Sequence, residues 1–184
     1  FGGELTNTII GERTTIREFV TVNRGTKALG ETKIGSDCLL MAYVHVAHDC
    51  ILGNNVIMAN MATLGGHVGI GDWASLGGGV LVHQFCRIGA HAFIGGGFRV
   101  VQDVPPFILA AGEPLCFGGT NRIGLKRRGF SMEDRQIIKN TYQIFFNSKL
   151  NRNEALQKIE SEIKSSNYKN QILDFMRSSE RGII

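Results

Sequence analysis

A histidine followed directly by an aspartate, His48-Asp49, is the pair in this sequence best suited to acid–base chemistry. An imidazole, with an ordinary pKa of about 6.5, accepts a proton at neutral pH, and a neighbouring carboxylate can orient its ring. Three more histidines, His45, His67 and His83, lie nearby in the chain, while His91 follows later and is expected to be structural. Which of these side chains meet depends on the fold.

A six-residue repeat predicts that fold. Every sixth residue from Ile34 to Val100 is aliphatic or Met, and the fifth position of the same hexads is small or β-branched except at Phe98. A helix does not have this period, whereas in a β-solenoid each hexad forms one short face with its first residue in the core. Aliphatic-Gly pairs recur every 18 residues from Ile34-Gly35 to Ile88-Gly89, so three hexads make one triangular coil.

The spacing of the first coil differs from the others. Ile10 precedes Ile34 by 24 residues, which is one hexad more than a coil needs. We therefore expect a loop to leave the solenoid at about residues 25–32, and such excursions often carry function.

Stepping by 18 residues places candidate site residues above one another. Gly66 and Gln84 stack on His48, and His67 stacks on Asp49, all outside the core positions. We predict that His48 is a general base oriented by Asp49, and that the N–H of Gly66 stabilises an oxyanion. The alternatives are that the histidines are ordinary surface residues and that Gly66 only turns a corner. The predicted patch contains His45, His48, Asp49, Gly66, His67, His83 and Gln84.

The chain changes character after Pro105-Pro106, where the repeat ends. Ser131 and Asp134 resemble a helix N-cap pair, and apolar residues at helical spacing predict three helices beyond them. The sequence therefore predicts a β-solenoid domain at 1–118 and a small α-helical domain at 119–184.

Charge is unevenly distributed between the two parts. Residues 1–120 hold 7 Lys/Arg against 9 Asp/Glu, and residues 121–184 hold 13 against 7. The run Lys126-Arg127-Arg128 is either a grip for a diphosphate or a solvated basic linker. The four cysteines have no metal-binding or disulfide spacing, which favours a reduced, cytoplasmic protein, and the sequence lacks a convincing membrane segment.

Several motifs in this order resemble the bacterial acyl-carrier-protein–UDP-N-acetylglucosamine O-acyltransferases. That resemblance implies a mainly β fold, a left-handed parallel β-helix with a C-terminal helical domain, assembled as a homotrimer with sites between subunits. It implies transfer of a 3-hydroxyacyl chain from acyl carrier protein to the sugar 3-hydroxyl of UDP-N-acetylglucosamine in lipid A synthesis, without metal, cofactor or nucleic acid. It also implies further coils before Phe1. The motifs are His45-Val46-Ala47-His48-Asp49-Cys50, Gly65-Gly66-His67-Val68, Val82-His83-Gln84-Phe85-Cys86, Gln102-Asp103-Val104-Pro105-Pro106 and Gly124-Leu125-Lys126-Arg127-Arg128-Gly129-Phe130.

The resemblance also implies roles for individual residues. His48 matches the family's general base, Asp49 its orienting partner and Gly66 the oxyanion-binding glycine, while Gly96 matches a position that limits acyl chain length. The remaining matches are to substrate-contacting positions, with the last three around the uridine and phosphates: His45, His67, His83, Gln84, Asn121, Arg127 and Arg128.

Three other functions remain open on the sequence. A related N-acyltransferase of the same pathway shares the solenoid and a catalytic histidine. A zinc hydratase on the same fold needs three histidine ligands, which His45, His67 and His83 could supply across a subunit boundary. A non-catalytic solenoid would give no reason for the histidines to cluster.

Overall fold

The computed structural model describes residues 2–184, which form a three-sided parallel β-solenoid followed by four helices. The first sheet contains β1 (Asn7–Ile10), β4 (Glu31–Ile34), β7 (Ile51–Leu52), β10 (Gly69–Ile70) and β13 (Arg87–Ile88). The second contains β2 (Thr15–Ile16), β5 (Leu39–Leu40), β8 (Ile57–Met58), β11 (Ser75–Leu76), β14 (Phe93–Ile94), β16 (Ile108–Ala111) and β17 (Cys116–Thr120). The third contains β3 (Thr21–Val22), β6 (His45–Val46), β9 (Thr63–Leu64), β12 (Leu81–Val82) and β15 (Arg99–Val100).

Strand register confirms the predicted coil. Ile51 pairs with Gly69, and Gly69 pairs with Arg87, so each strand lies one 18-residue coil from its neighbour. All twelve first-position side chains are buried, as the hexad pattern requires. The fold is therefore a mainly β solenoid of hexapeptide repeats, as predicted.

The loop in the first coil begins and ends two residues earlier than expected. Asn7 pairs with Glu31 across a 24-residue step, which confirms the extra hexad. The predicted span of 25–32 is wrong at its end, because Glu31–Ile34 belongs to β4 and Thr32 is fully buried. The excursion covers residues 23–30, and we call it the 23–30 loop.

Corners of the solenoid use a strained backbone. At most corners, the third residue after the strand has a positive φ. Asp49 (φ 59°) and His67 (φ 61°) both belong to this set. A side chain in the left-handed region is unusual, although Asp and His are among the residues that tolerate it best.

The helices are α1 (Arg122–Arg127), α2 (Met132–Asn147), α3 (Arg152–Glu162) and α4 (Asn167–Arg177). Ser131 and Asp134 form the predicted capping box of α2. Helix α1, which the sequence pattern did not predict, is capped by Asn121. The domain boundary predicted between 118 and 119 falls inside β17. Within residues 2–184, every helix is too short or too polar to span a bilayer.

Candidate active site

The predicted patch lies along the corner where the third sheet turns into the first. The turn between β6 and β7 carries His48 and Asp49, and the turn one coil above carries Gly66 and His67. The backbone N–H of His67 donates to the carbonyl of His48 at 3.0 Å, which ties the two turns together. The structure therefore stacks these four residues as the 18-residue step predicted.

His48 and Asp49 form a hydrogen-bonded pair. Nδ1 of His48 lies 2.8 Å from Oδ2 of Asp49. Because an ionised carboxylate only accepts hydrogen bonds, Nδ1 carries the proton, and Nε2 of the neutral ring is left as the acceptor. The His48 side chain remains 42% exposed while the Asp49 side chain is fully buried. This arrangement presents a base to solvent or substrate and holds its orienting group in the interior.

Asp49 is ionised despite its burial. Burial by itself raises the pKa of Asp49, but hydrogen bonds from Thr26 and His48 outweigh it and lower the pKa to about 2. Its backbone N–H also donates to Oγ1 of Thr32 at 2.8 Å. The carboxylate therefore keeps its charge at every pH at which His48 acts as a base.

Gly66 makes room for the His48 ring. A Cβ at Gly66 would lie 2.7 Å from Cε1 and 2.8 Å from Nε2 of His48, so a side chain at position 66 would force the ring to move. Within residues 2–184 the N–H of Gly66 donates no hydrogen bond, so it is available to a ligand beside Nε2. A base and a free donor side by side are the groups that an acyl transfer requires.

His67 is more buried than His48, with 20% of its side chain exposed. Its ring stacks on Phe85 with centroids 4.6 Å apart, and its Nε2 lies 3.7 Å from Oδ2 of Asp49. Among residues 2–184, one group of three His, Cys, Asp or Glu side chains is close enough to share a metal ion, and it consists of His48, Asp49 and His67. The trio proposed for zinc, His45, His67 and His83, does not come together within the described chain.

The other predicted members lie at the edge of this patch. Nδ1 of His45 is 2.7 Å from Oγ1 of Thr21. His83 and Gln84 are exposed one coil above Gly66. Nδ1 of His83 lies 3.3 Å from the guanidinium of Arg181, which returns from the C-terminal end of the chain.

Two depressions flank the His48–Asp49 pair. A groove of about 410 Å³ runs from His48 along the 23–30 loop and is lined by Glu4, Asn23, Arg24, Gly25, Thr26 and His48. A cavity of about 540 Å³ lies on the other side and is lined by His67, Phe85, Arg87, Asp103, Ser178, Glu180 and Arg181. Sequence reasoning did not assign Thr26 or Arg87 to the site, because their positions depend on the loop and on the returning C-terminal segment.

Three of the residues predicted to bind substrate lie at a different corner of the solenoid from His48. They are Asn121, Arg127 and Arg128. Asn121 is buried, with its amide capping α1 and donating to the carbonyl of His91 at 2.9 Å. The Arg128 guanidinium lies over the Trp73 ring at 5.2 Å, while Arg127 is exposed. Within one chain these residues do not meet His48.

Gly96 occupies the remaining corner, between β14 and β15. A Cβ there would lie 3.1 Å from the carbonyl oxygen of Gly78, one coil below. Gly96 therefore packs on the backbone of the coil below. Within one chain, it is also remote from His48 along the coil.

His91 is packed among aromatic rings. It stacks on Phe107 with centroids 5.5 Å apart and meets Phe130 edge-on at 4.9 Å. Burial, followed by the nearby Arg128 charge, lowers the pKa of His91 to about 4. It therefore stays neutral in the folded protein under conditions in which a free histidine is charged.

This packing predicts a pH-dependent stability. Below pH of about 6.5 the unfolded chain protonates His91, while the folded chain does so only near 4, so the free energy of unfolding falls as the pH falls through this interval. Denaturant unfolding at pH 7.5 and 5.0, at one protein concentration, measures the fall. The variant His91→Phe keeps an aromatic ring without a titrating group and should show a smaller fall. An equal fall in both proteins would contradict the assignment.

Comparison with known proteins decides the family. Residues 31–66 match the bacterial transferase hexapeptide family, and residues 103–184 match the family described as UDP N-acetylglucosamine O-acyltransferase, domain 2. The acyl-[acyl-carrier-protein]–UDP-N-acetylglucosamine O-acyltransferase of Janthinobacterium sp. (strain Marseille) is 50% identical over 189 residues, covering 100% of this chain and 72% of that protein. This chain belongs to that acyltransferase family.

Solved structures of the family have the same fold. The crystal structure of the UDP-N-acetylglucosamine acyltransferase from Bacteroides fragilis 9343 gives a TM-score of 0.98 at 48% identity, covering 100% of this chain and 72% of that one. The Francisella novicida enzyme gives 0.95 at 38% identity, covering 100% and 68%. Membership in this acyltransferase family removes the zinc hydratase and the non-catalytic solenoid from consideration.

Proposed function

We propose that this protein transfers a 3-hydroxyacyl chain from acyl carrier protein to the 3-hydroxyl of the glucosamine ring of UDP-N-acetylglucosamine, the first step of lipid A synthesis. The observation that carries the proposal is the joint placement of His48, Asp49 and Gly66. A base whose accepting nitrogen lies 2.8 Å from the Cβ position of Gly66, a residue whose own N–H donates no hydrogen bond within residues 2–184, fits attack of a hydroxyl on a thioester.

The reaction needs one base and one oxyanion donor. Nε2 of His48 takes the proton from the sugar hydroxyl as its oxygen attacks the thioester carbonyl carbon. The N–H of Gly66 stabilises the negative oxygen of the tetrahedral intermediate. When the intermediate collapses, the carbon–sulfur bond breaks and the imidazolium of His48 returns the proton to the departing thiolate. Asp49 stabilises the imidazolium between the two transfers.

The surroundings of His48 supply places for both substrates. We assign the sugar to the groove along the 23–30 loop, where its hydroxyl can reach Nε2. His45, His67, His83 and Gln84 are proposed to contact the substrates along the stacked corner.

The remaining assigned residues require a second subunit. Gly96, Asn121, Arg127 and Arg128 lie on the other two corners of the chain, so we propose a homotrimer in which neighbouring chains bring them towards His48. The exposed Arg127 and the adjacent cations of α1 suit an anionic partner, either the diphosphate or the acidic carrier protein. We also propose a cytoplasmic location, which agrees with four free cysteines.

The experiment measures the product. Purified protein is incubated with UDP-N-acetylglucosamine and acyl carrier proteins charged with 3-hydroxyacyl chains of several lengths, and the product mass is determined. We expect one acyl chain on the acetylated sugar nucleotide and no loss of rate after treatment with a metal chelator. A product formed only from an acceptor with a 3-amine would instead identify the related N-acyltransferase.

A further inference from the structure

The 23–30 loop holds the carboxylate of Asp49. Thr26 donates twice to it, from its backbone N–H to Oδ1 at 2.9 Å and from its hydroxyl to Oδ2 at 2.6 Å. The N–H of Leu29 reaches Oδ1 at 3.3 Å. Three of the four hydrogen bonds to this buried carboxylate therefore come from the loop, and one comes from His48.

The loop has a fixed shape that places Thr26 over Asp49. Gly25 packs so closely on Glu31 that a Cβ there would lie 2.3 Å from the Glu31 nitrogen. The N–H of Gly25 donates to the Asn7 carbonyl at 3.0 Å, and the N–H of Gly30 donates to the Thr26 carbonyl at 2.7 Å. The N–H of Asn7 in turn donates to the Gly30 carbonyl at 2.9 Å. Both ends of the loop are therefore bonded to β1 of the solenoid, and Thr26 is positioned by backbone packing on either side.

Two histidines lie near the same oxygen of the Asp49 carboxylate, and His48 is the one within hydrogen-bond distance. Oδ2 of Asp49 lies 2.8 Å from Nδ1 of His48 and 3.7 Å from Nε2 of His67. A buried carboxylate needs its lone pairs satisfied, because an unpaired one is costly. The Thr26 hydroxyl occupies part of Oδ2 and leaves one bonding direction for His48. Without that hydroxyl, a small movement of the His67 ring would satisfy the vacant lone pair instead.

We propose that Thr26 is a positioning residue for acyl transfer: its hydroxyl orients Oδ2 of Asp49 towards His48 and away from His67. The inference rests on the proposed function, since it concerns the base of that reaction. Thr26 does not need to touch either substrate for this role. Its effect is therefore expected in turnover rather than in substrate binding.

The test compares two substitutions that differ by one hydroxyl. Thr26→Val keeps the shape and the backbone N–H but removes the hydroxyl, whereas Thr26→Ser keeps the hydroxyl. We expect Thr26→Val to lower kcat about tenfold, with KM for both substrates changed by less than about twofold, and Thr26→Ser to recover most of the loss. Thermal unfolding of each variant is measured alongside. If Thr26→Val does not fold, Thr26→Cys, whose thiol is a weak donor, replaces it with the same expectation.

Repeating the Thr26→Val substitution in protein that already carries Asp49→Asn separates an effect on the position of Asp49 from a general loss of stability. When Asp49 is already Asn, the Thr26 hydroxyl no longer orients a carboxylate, so Thr26→Val should cost little further activity. A tenfold loss in both backgrounds, or unchanged kcat in Thr26→Val alone, would overturn the inference. Failure of the unsubstituted protein to acylate UDP-N-acetylglucosamine would instead refute the proposed function.

Discussion

Replacing His48 with alanine is expected to lower kcat by about 100- to 10,000-fold, the usual contribution of a positioned general base. The neutral ring presents Nε2 as an acceptor only because Nδ1–H is held by Asp49 at 2.8 Å. The loss should appear in kcat, because the substrates are held mainly by other residues.

The measurement is steady-state acyl transfer with purified variant and unsubstituted protein at matched concentrations. Because His48 is 42% exposed and lies outside the core, the variant should unfold at nearly the same temperature and keep its oligomeric state. Added imidazole should recover part of the rate, since the substitution leaves a space of matching shape beside Asp49. Near-normal turnover in a folded assembly would remove His48 from the mechanism.

The sequence predicted the solenoid well because its core has a simple rule. Each hexad buries one large residue at its first position, from Ile34 to Val100, and this pattern does not depend on distant contacts. Stacking by 18 residues followed directly from this pattern and placed Gly66 beside His48. The same arithmetic detected an extra hexad between Ile10 and Ile34.

Features that depend on long-range contacts were harder to predict. The end of the 23–30 loop was misplaced, because Thr32 is drawn into β4 by pairing with β1 and by bonding the N–H of Asp49. Helix α1 was missed because its glycine and charges are typical of a linker, and its cap at Asn121 is set by packing against His91. Thr26 carries no motif of its own, so only the folded loop reveals its contact with Asp49.

Substituting Gly66 with alanine is expected to lower kcat about 100-fold, the cost of moving a catalytic group by about 1 Å. The added methyl group would lie 2.7 Å from Cε1 of His48, so the ring has to turn away from its present position. Alanine retains the backbone N–H, which means that the loss reports on the ring rather than on a missing oxyanion donor. Gly69→Ala is a matched control on the next strand, because its Cβ would lie 3.7 Å from the nearest atom, in ordinary contact.

The combination of Gly66→Ala with His48→Ala distinguishes the two roles of this glycine. Once the imidazole is absent, the methyl group at position 66 has no ring to displace, so the second substitution should add little to the loss. If it instead costs the full factor again, the methyl group must disturb the oxyanion position or the substrate itself. We expect the small additional loss, because Gly66 serves mainly by leaving room for the His48 ring.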